Sequence, residues 1–186
     1  VMIYLIDHED SFTFNLAHLL GEFDDIYVSN YYSIDKAKIA KANTVVLSPG
    51  PGEPKDYPFT SKIYHQFKGK KKIIGICLGF QQILYAEGGK IIQQNKIFHG
   101  YQSIISVLPA SKVFKNIKQL SVGRYHSLKL QEPFYSNTLN ITMRCKTTKA
   151  AMALEDHTNN VFGFQFHPDS FLTKNGKLLI QKILSA

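Results

Sequence analysis

The fold is decided by one stretch of the chain, Lys71-Lys72-Ile73-Ile74-Gly75-Ile76-Cys77-Leu78-Gly79-Phe80-Gln81-Gln82-Ile83-Leu84. It begins as a short apolar run of strand-forming residues and ends as a helical pattern, with a cysteine at the junction. Glycines stand two positions before and two positions after this cysteine, where neighbouring backbone must pass close to a tight turn. The pattern predicts a nucleophile elbow, in which a sharp strand-to-helix turn lifts a reactive side chain out of a sheet.

The predicted helix would activate the side chain at the elbow. Its first N–H groups and the positive end of its dipole point at Cys77 and favour the thiolate over the thiol. The backbone N–H of Leu78 would be the first donor of an oxyanion hole. Because buried cysteines are commonly inert core residues, this pattern does not decide the function alone.

The composition excludes several classes of protein. A chain of 186 residues that is 44% hydrophobic suits one well-buried domain, residues 1–186. No apolar run has the length of a membrane span and no signal-peptide pattern opens the sequence. Two distant cysteines make no disulfide framework, which favours a reducing cytoplasm. The formal charge of +8 comes from scattered lysines without a nucleic-acid-binding motif, and therefore indicates a basic surface or an acidic protein partner.

The first part of the sequence alternates strand and helix patterns. The predicted elements are strands at 2–6, 26–28 and 44–47 and helices at 12–20 and 33–41. Asp10 or Ser11 would cap the first helix, and Gly21 would end it. This order predicts an α/β fold with a doubly wound, mostly parallel, flavodoxin-like sheet.

The third strand leads into a loop rich in proline and glycine, Ser48-Pro49-Gly50-Pro51-Gly52-Glu53-Pro54. Such a segment forms neither helix nor ladder, and it lies at the carboxyl edge of the sheet, where open α/β sheets bind ligands. The elbow cysteine is expected at the same edge. The loop would therefore be a substrate wall and a second oxyanion donor, or only a tight connection.

The second half of the sequence has another pattern. Short strand-like runs occur at 91–92, 104–108, 120–122, 139–143, 150–154 and 161–166, and a helical pattern closes the chain at 177–184. Polar turns separate most of these strands. They predict an antiparallel section packed onto the parallel core.

A nucleophilic cysteine needs a histidine, which in turn needs a group that orients it. His167 leaves a strand pattern and is followed two positions later by Asp169, with Pro168 stiffening the backbone between them. Four other histidines, His8, His18, His65 and His157, have no orienting acid placed by a strand end, although His8 has acids nearby, and the simplest interpretation makes them surface residues. A Cys77–His167–Asp169 site is the better explanation of the set.

Together these residues resemble the class I (triad) glutamine amidotransferases, and among them the small glutaminase subunit (component II) of anthranilate synthase and para-aminobenzoate synthase. The matching segments occur in the family's order along almost the whole chain: Asp10-Ser11-Phe12-Thr13, Ser48 to Gly52, Gly75 to Gly79 with Gln81, Gly123-Arg124-Tyr125-His126-Ser127-Leu128, and Gln165-Phe166-His167-Pro168. The first and fourth segments narrow the resemblance to the chorismate-using synthases.

The resemblance implies a role for each matching residue. Cys77 would attack the side-chain amide of glutamine and form a glutamyl thioester, while His167 would transfer the protons and Asp169 would orient it. N–H groups of Gly50 or Gly52 and of Leu78 would hold the oxyanion, with Pro51 in the same wall. The amino-acid end of glutamine would be bound by Gln81 and by the backbone of Ser127 and Leu128.

The resemblance also implies a partner. Ammonia would pass to a large subunit that binds and aminates chorismate, in tryptophan or folate biosynthesis. No cofactor or metal is expected in this chain, and Mg²⁺ would belong to the partner.

Three features of the sequence depart from the family pattern. Asp169 stands where the family usually has glutamate, which shortens the reach toward His167 by about 1.5 Å. Phe80 replaces a usual histidine, as a packing substitution. Tyr101 and Gln102 alter a segment that usually reads His-Gly-Lys-Thr-Ser, which affects contacts to the partner or to glutamine.

Two alternatives stay open at this point. One is a self-contained glutamyl hydrolase or cysteine peptidase with the same elbow, although the chain has no long insertion for a peptide cleft. The other is a degenerate, non-catalytic interaction subunit, for which Asp169 and Phe80 are the arguments. Cys145 is expected to be structural, and Arg124 to be a surface cation or an interface anchor.

Overall fold

The structure, a computed structural model, describes residues 2–186 as alternating strands and helices followed by a strand-rich section. The strands are β1 Met2–Asp7, β2 Asp25–Asn30, β3 Thr44–Leu47, β4 Lys72–Ile76, β5 Ile91–Gln93, β6 Tyr101–Val107, β7 Gln119–Arg124, β8 Leu128–Leu130, β9 Asn140–Cys145, β10 Ala151–Asp156 and β11 Val161–Phe164. The helices are α1 Thr13–Gly21, α2 Lys36–Lys41, α3 Pro58–Phe67, α4 Leu78–Ala86 and α5 Gly176–Ser185.

Nine strands form one sheet in the order β2-β1-β3-β4-β11-β10-β9-β6-β7. The first five are parallel, and β11 is the boundary, because it pairs in parallel with β4 and antiparallel with β10. The α/β prediction is confirmed. The predicted antiparallel section is also present, and four of its strands, β10, β9, β6 and β7, extend the parallel sheet through backbone hydrogen bonds. A separate two-stranded sheet joins β5 to β8.

The core lies on both faces of the sheet. Alternate residues of β1 point to opposite sides: Ile3 and Leu5 pack with α1 and α5, whereas Tyr4 and Ile6 pack with α2, α3 and α4. This period of two in a fully buried strand is the reason why the segment reads as one continuous apolar run. The helices on both faces confirm the doubly wound arrangement.

Three local features differ from the sequence-based expectation. Helix α3 was not predicted, although its buried residues Thr60, Ile63, Tyr64 and Phe67 follow helical spacing. Helix α1 begins after Phe12, and no side chain caps it; the carboxylate of Asp10 instead accepts a hydrogen bond from the N–H of Phe12 at 2.7 Å. The proline loop ends in a single 3-10 turn, Pro54–Asp56.

None of the helices within residues 2–186 combines the length and the apolar character that crossing a bilayer requires.

Candidate active site

The elbow forms where the sequence predicts it, between β4 and α4. Cys77 has a φ of 54°, which is rare for a residue with a side chain, and its N–H donates to the carbonyl of Phe164 on β11 at 2.8 Å. A Cβ at Gly79 would collide with the carbonyl oxygen of Leu47, and one at Gly75 with the carbonyl oxygen of Gly79. The two glycines therefore allow α4 to start directly against the sheet, with a strained residue at the turn.

A cavity of about 210 Å³ opens beside Cys77. Its lining comprises Gly50, Pro51, Gly52, Cys77, Leu78, Gln81, Tyr125, His126, Ser127 and Leu128. All seven residues that the sequence predicts to contact glutamine or its oxyanion are in this set. Tyr125 and His126 were not predicted as lining residues, although they lie between matched positions in the sequence.

The proline loop, residues 48–54, is held in place by a buried histidine. His8 is fully buried, so its prediction as a surface residue was wrong. Its Nδ1 donates to the carbonyl of Ser48 at 3.1 Å, which leaves Nε2 to accept from the hydroxyl of Thr60 at 3.0 Å. Burial lowers the pKa of His8 to about 4, and the ring is therefore neutral at physiological pH.

His167 lies in a buried position just beyond β11. The backbone N–H of His167 donates to the carbonyl of Gly123 at 3.1 Å, which connects His167 to the end of β7. The ring packs against Phe12 and Tyr125, with centroid distances of 5.2 and 5.0 Å. Burial opposes a charge on this ring, yet interactions with Asp169 and Cys77 outweigh burial and raise the pKa of His167 to about 10. The imidazolium form is favoured beside the thiol.

Asp169 lies next to His167 but does not reach it. The distance between His167 Nδ1 and Asp169 Oδ1 is 3.6 Å, longer than a hydrogen bond. Within residues 2–186, neither carboxylate oxygen of Asp169 has a hydrogen-bond partner. The structure thus brings Cys77, His167 and Asp169 together, but it leaves no hydrogen bond between His167 and Asp169.

Two glutamines form the wall behind the thiol. Gln81 Nε2 lies 3.1 Å from Gln165 Oε1 and 3.3 Å from the carbonyl of Leu128. Gln165 Nε2 in turn approaches the sulfur of Cys77 at 3.7 Å. Gln165 was not assigned a role from sequence. Its signal was a single amide between two buried aromatic residues, Phe164 and Phe166.

The other basic residues that were predicted to lie at the surface differ in their burial. His18, His65 and His157 are exposed, as predicted. Arg124, expected to be a surface cation or an interface anchor, is completely buried, so that expectation was wrong.

Comparison with known proteins decides the family. The model of the glutamine amidotransferase class-I family matches residues 4–186. The chain belongs to the class-I glutamine amidotransferases. Anthranilate synthase component 2 of Lactococcus lactis is 34% identical over 186 residues, which cover 99% of this chain and 94% of that protein. The bifunctional protein TrpGD of Thermotoga maritima is 35% identical, and the match covers 98% of this chain but only 32% of that longer protein.

A solved structure of a glutamine amidotransferase shares the fold of this chain. This crystal structure, of a protein from Thermotoga maritima, superposes with a TM-score of 0.71 at 16% identity, and the match covers 91% of this chain and 76% of that one.

The residues that depart from the amidotransferase pattern, Phe80, Tyr101 and Gln102, differ in their burial. Phe80 is fully buried in the core beside α3, as expected for a packing substitution. Tyr101 is half exposed on β6, and Gln102 donates to the carbonyl of Leu172 at 3.0 Å. Neither Tyr101 nor Gln102 lines the cavity. Across the described residues, no three His, Cys, Asp or Glu side chains are grouped so that they could hold a metal ion.

Proposed function

We propose that this chain is the glutaminase subunit of a chorismate-aminating synthase, which hydrolyses L-glutamine and delivers ammonia to a large partner subunit. The observation that carries the proposal is the cavity beside Cys77, which gathers the thiol and all seven residues assigned to glutamine in one enclosure. The relatives named anthranilate synthase component 2 support the choice of synthase.

In the first half of the proposed reaction, the thiolate of Cys77 attacks the side-chain amide carbon of glutamine. The C–N bond then breaks, the nitrogen takes a proton from the imidazolium of His167 and leaves as ammonia, and a glutamyl thioester forms on the sulfur. The raised pKa of His167 supports this step, because it keeps a proton available next to the thiolate.

In the second half, the neutral imidazole of His167 takes a proton from water. The resulting hydroxide attacks the thioester carbon, the C–S bond breaks, and glutamate leaves while the thiolate and the imidazolium are restored. The role of Asp169 is to orient His167 for both proton transfers.

Backbone donors would stabilise the negative oxygen of both tetrahedral intermediates. Leu78 is the first residue of α4, and a helix leaves its first N–H groups without an intrahelical partner. Gly50 and Gly52 line the same cavity, and one of them supplies the second donor. The amino-acid end of glutamine is bound by Gln81 and by the backbone of Ser127 and Leu128.

The partner in this proposal is component I of anthranilate synthase, with aminodeoxychorismate synthase component I, which serves para-aminobenzoate formation, as the second candidate. The chain's own chemistry uses neither a cofactor nor a metal, and any Mg²⁺ would bind in the partner. We place the reaction in the cytoplasm, where a reduced Cys77 is maintained.

The test measures glutamate release from glutamine by the purified chain, alone and with each large subunit plus chorismate. Fluorescent anthranilate and para-aminobenzoate are followed in the same samples. We expect release to rise with one partner, and Cys77→Ser to abolish it while the complex still aminates chorismate from added ammonia. Release that is independent of every partner would favour a self-contained hydrolase. Complex formation without any release would identify a non-catalytic subunit.

A further inference from the structure

A buried positive charge near the cavity has no carboxylate beside it. Arg124 has no exposed surface, and among residues 2–186 it forms no ion pair with Asp or Glu. Its guanidinium carbon stands 3.5 Å from the ring centroid of Phe98, and Nη1 donates to the sulfur of Cys145 at 3.3 Å. An arginine stays charged in proteins, and burying an unpaired charge is costly. Within residues 2–186, the thiol of Cys145 is the one acidic group in contact with it.

We propose that Cys145 is a thiolate that neutralises Arg124, and that this ion pair is a positioning device for the wall of the glutamine cavity. The effect on glutamine binding rests on the glutaminase function proposed above, whereas the ion pair itself does not depend on that function.

The turn that follows β9 favours the anion. Thr147 Oγ1 lies 3.5 Å from the sulfur of Cys145. Burial by itself raises the pKa of Cys145, but hydrogen bonds from the side chains and N–H groups of Thr147 and Thr148 outweigh burial and lower the pKa to about 7. The sulfur is thus surrounded by donors.

In the described part of the chain, no second charged side chain contacts this sulfur. Arg144 precedes Cys145 on the strand, so it points to the opposite face, where it pairs with Glu132 at 2.6 Å. Lys146 and Lys149 lie in the exposed turn. The neighbouring strand β6 presents Ile105. Strand β7, on the other side of β6 in the same sheet, carries Arg124. His126, beyond the end of β7, stays neutral because burial, and then Arg124, lower its pKa to about 3.

The pair is connected to the cavity by a chain of hydrogen bonds. Arg124 Nε donates to His126 Nε2 at 2.9 Å, which fixes the imidazole proton on Nδ1. That Nδ1 donates to the carbonyl of Leu128 at 2.8 Å. Leu128 lines the cavity, and its carbonyl also accepts from Gln81. A shift of Arg124 would therefore move the backbone that binds glutamine.

The first experiment tests the charge without using the enzyme reaction. In Cys77→Ser, Cys145 is the only remaining thiol. We expect the ultraviolet absorbance of a thiolate to appear with a midpoint near pH 7. Cys77→Ser/Cys145→Ser provides the background. If the two variants show identical absorbance up to about pH 9, the thiol is protonated and the proposal is overturned.

The second experiment tests positioning. Cys145→Ser removes the anion, and we expect KM for glutamine to rise about tenfold with kcat nearly unchanged, the effect of one charge-assisted hydrogen bond. In the native chain, KM should rise below neutral pH, because the thiolate of Cys145 is then protonated. Cys145→Asp, which stays an anion at these pH values, should restore the native KM and abolish this rise. Met143→Leu, a buried change on the same strand, is the packing control and should leave KM unchanged.

The outcomes separate the two proposals. A wild-type KM and pH profile in Cys145→Ser would overturn positioning. A KM raised equally by the serine and aspartate variants would mean that only packing matters, which also overturns it. If Cys145→Ser does not fold, the absorbance of Cys77→Ser at about pH 8, compared with that of the same protein at about pH 5, decides the charge. A thiolate signal in a chain without glutaminase activity would retain the ion pair and reject the proposed function.

Discussion

Nδ1 of His167 and Oδ1 of Asp169 face each other across 3.6 Å without forming a hydrogen bond. Both oxygens of the carboxylate and the ring nitrogen are buried without a hydrogen-bond partner within residues 2–186. Buried polar groups in this state are costly, and the cost is removed if the two side chains come together or a water molecule bridges them. The missing methylene at position 169 is therefore visible as a gap in the proposed active site.

Asp169→Glu should close this gap. The extra methylene adds about 1.5 Å of reach, so we expect a direct hydrogen bond to His167 and a kcat for glutamate release about tenfold higher in the assembled complex. Asp169→Asn, which has the shape but not the charge of the native residue, should lower kcat. Steady-state kinetics of the three proteins checks the order. A full rate in Asp169→Ala would contradict any orienting role.

Acid should destabilise the chain partly through His8. The pKa of this ring is about 4 when folded and 6.5 ordinarily, so between these values the unfolded chain binds a proton that the folded chain does not. The contribution of neutral His8 to the free energy of unfolding is therefore fully present above pH 6.5. It is lost as the pH falls toward 4, and the loss is at most about 3 kcal/mol. Denaturant unfolding of His8→Gln should show a shallower acid loss. His18→Gln, at an exposed position, should keep the wild-type slope.

Gly79→Ala should destabilise the elbow. A Cβ there meets the backbone carbonyl of Leu47, which cannot move without disturbing β3. We expect a loss of about 3 kcal/mol and a fall in Tm of about 10 °C. Gly21→Ala, where the nearest atom would be in ordinary contact at 3.7 Å, is the matched control. Equal melting temperatures for both variants would show that the elbow tolerates a side chain.

Alkylation should distinguish the two cysteines. Cys77 opens to the cavity, whereas Cys145 is buried among packed strands, although both are proposed to be thiolates. Iodoacetamide at neutral pH should modify Cys77 alone in the folded chain and both residues after unfolding. Mass spectrometry of the peptides reads the result. Equal modification of Cys145 in the native chain would undermine the assignment of Cys77 as the activated thiol.

The sequence was sufficient for the features that depend on local pattern. The alternation of strands and helices, the elbow at Cys77 and the wall formed by the proline loop follow from residue patterns. The family resemblance supplied the assignments of Gln81, Ser127 and Leu128, which spacing alone does not give.

The errors concern buried polar residues. His8 is buried because Ser48 and Thr60, which lie 40 and 52 positions away, satisfy its ring nitrogens. Arg124 is buried because Phe98 and Cys145 meet it from other segments. Hydropathy and spacing describe a residue and its neighbours along the chain. They do not reveal the distant residues whose hydrogen bonds offset the desolvation cost of a buried polar group.

The pairing of β11 with β4 has a consequence for recombination within the family. Phe164 pairs with Ile76, and the next residue, Cys77, donates to the carbonyl of Phe164. The nucleophile and the segment that carries His167 are thus aligned by a single ladder of backbone hydrogen bonds, whatever side chains surround it. A chimera that exchanges the strands from β6 to β10 for those of another member should therefore keep its two reactive groups in register while acquiring a different substrate wall.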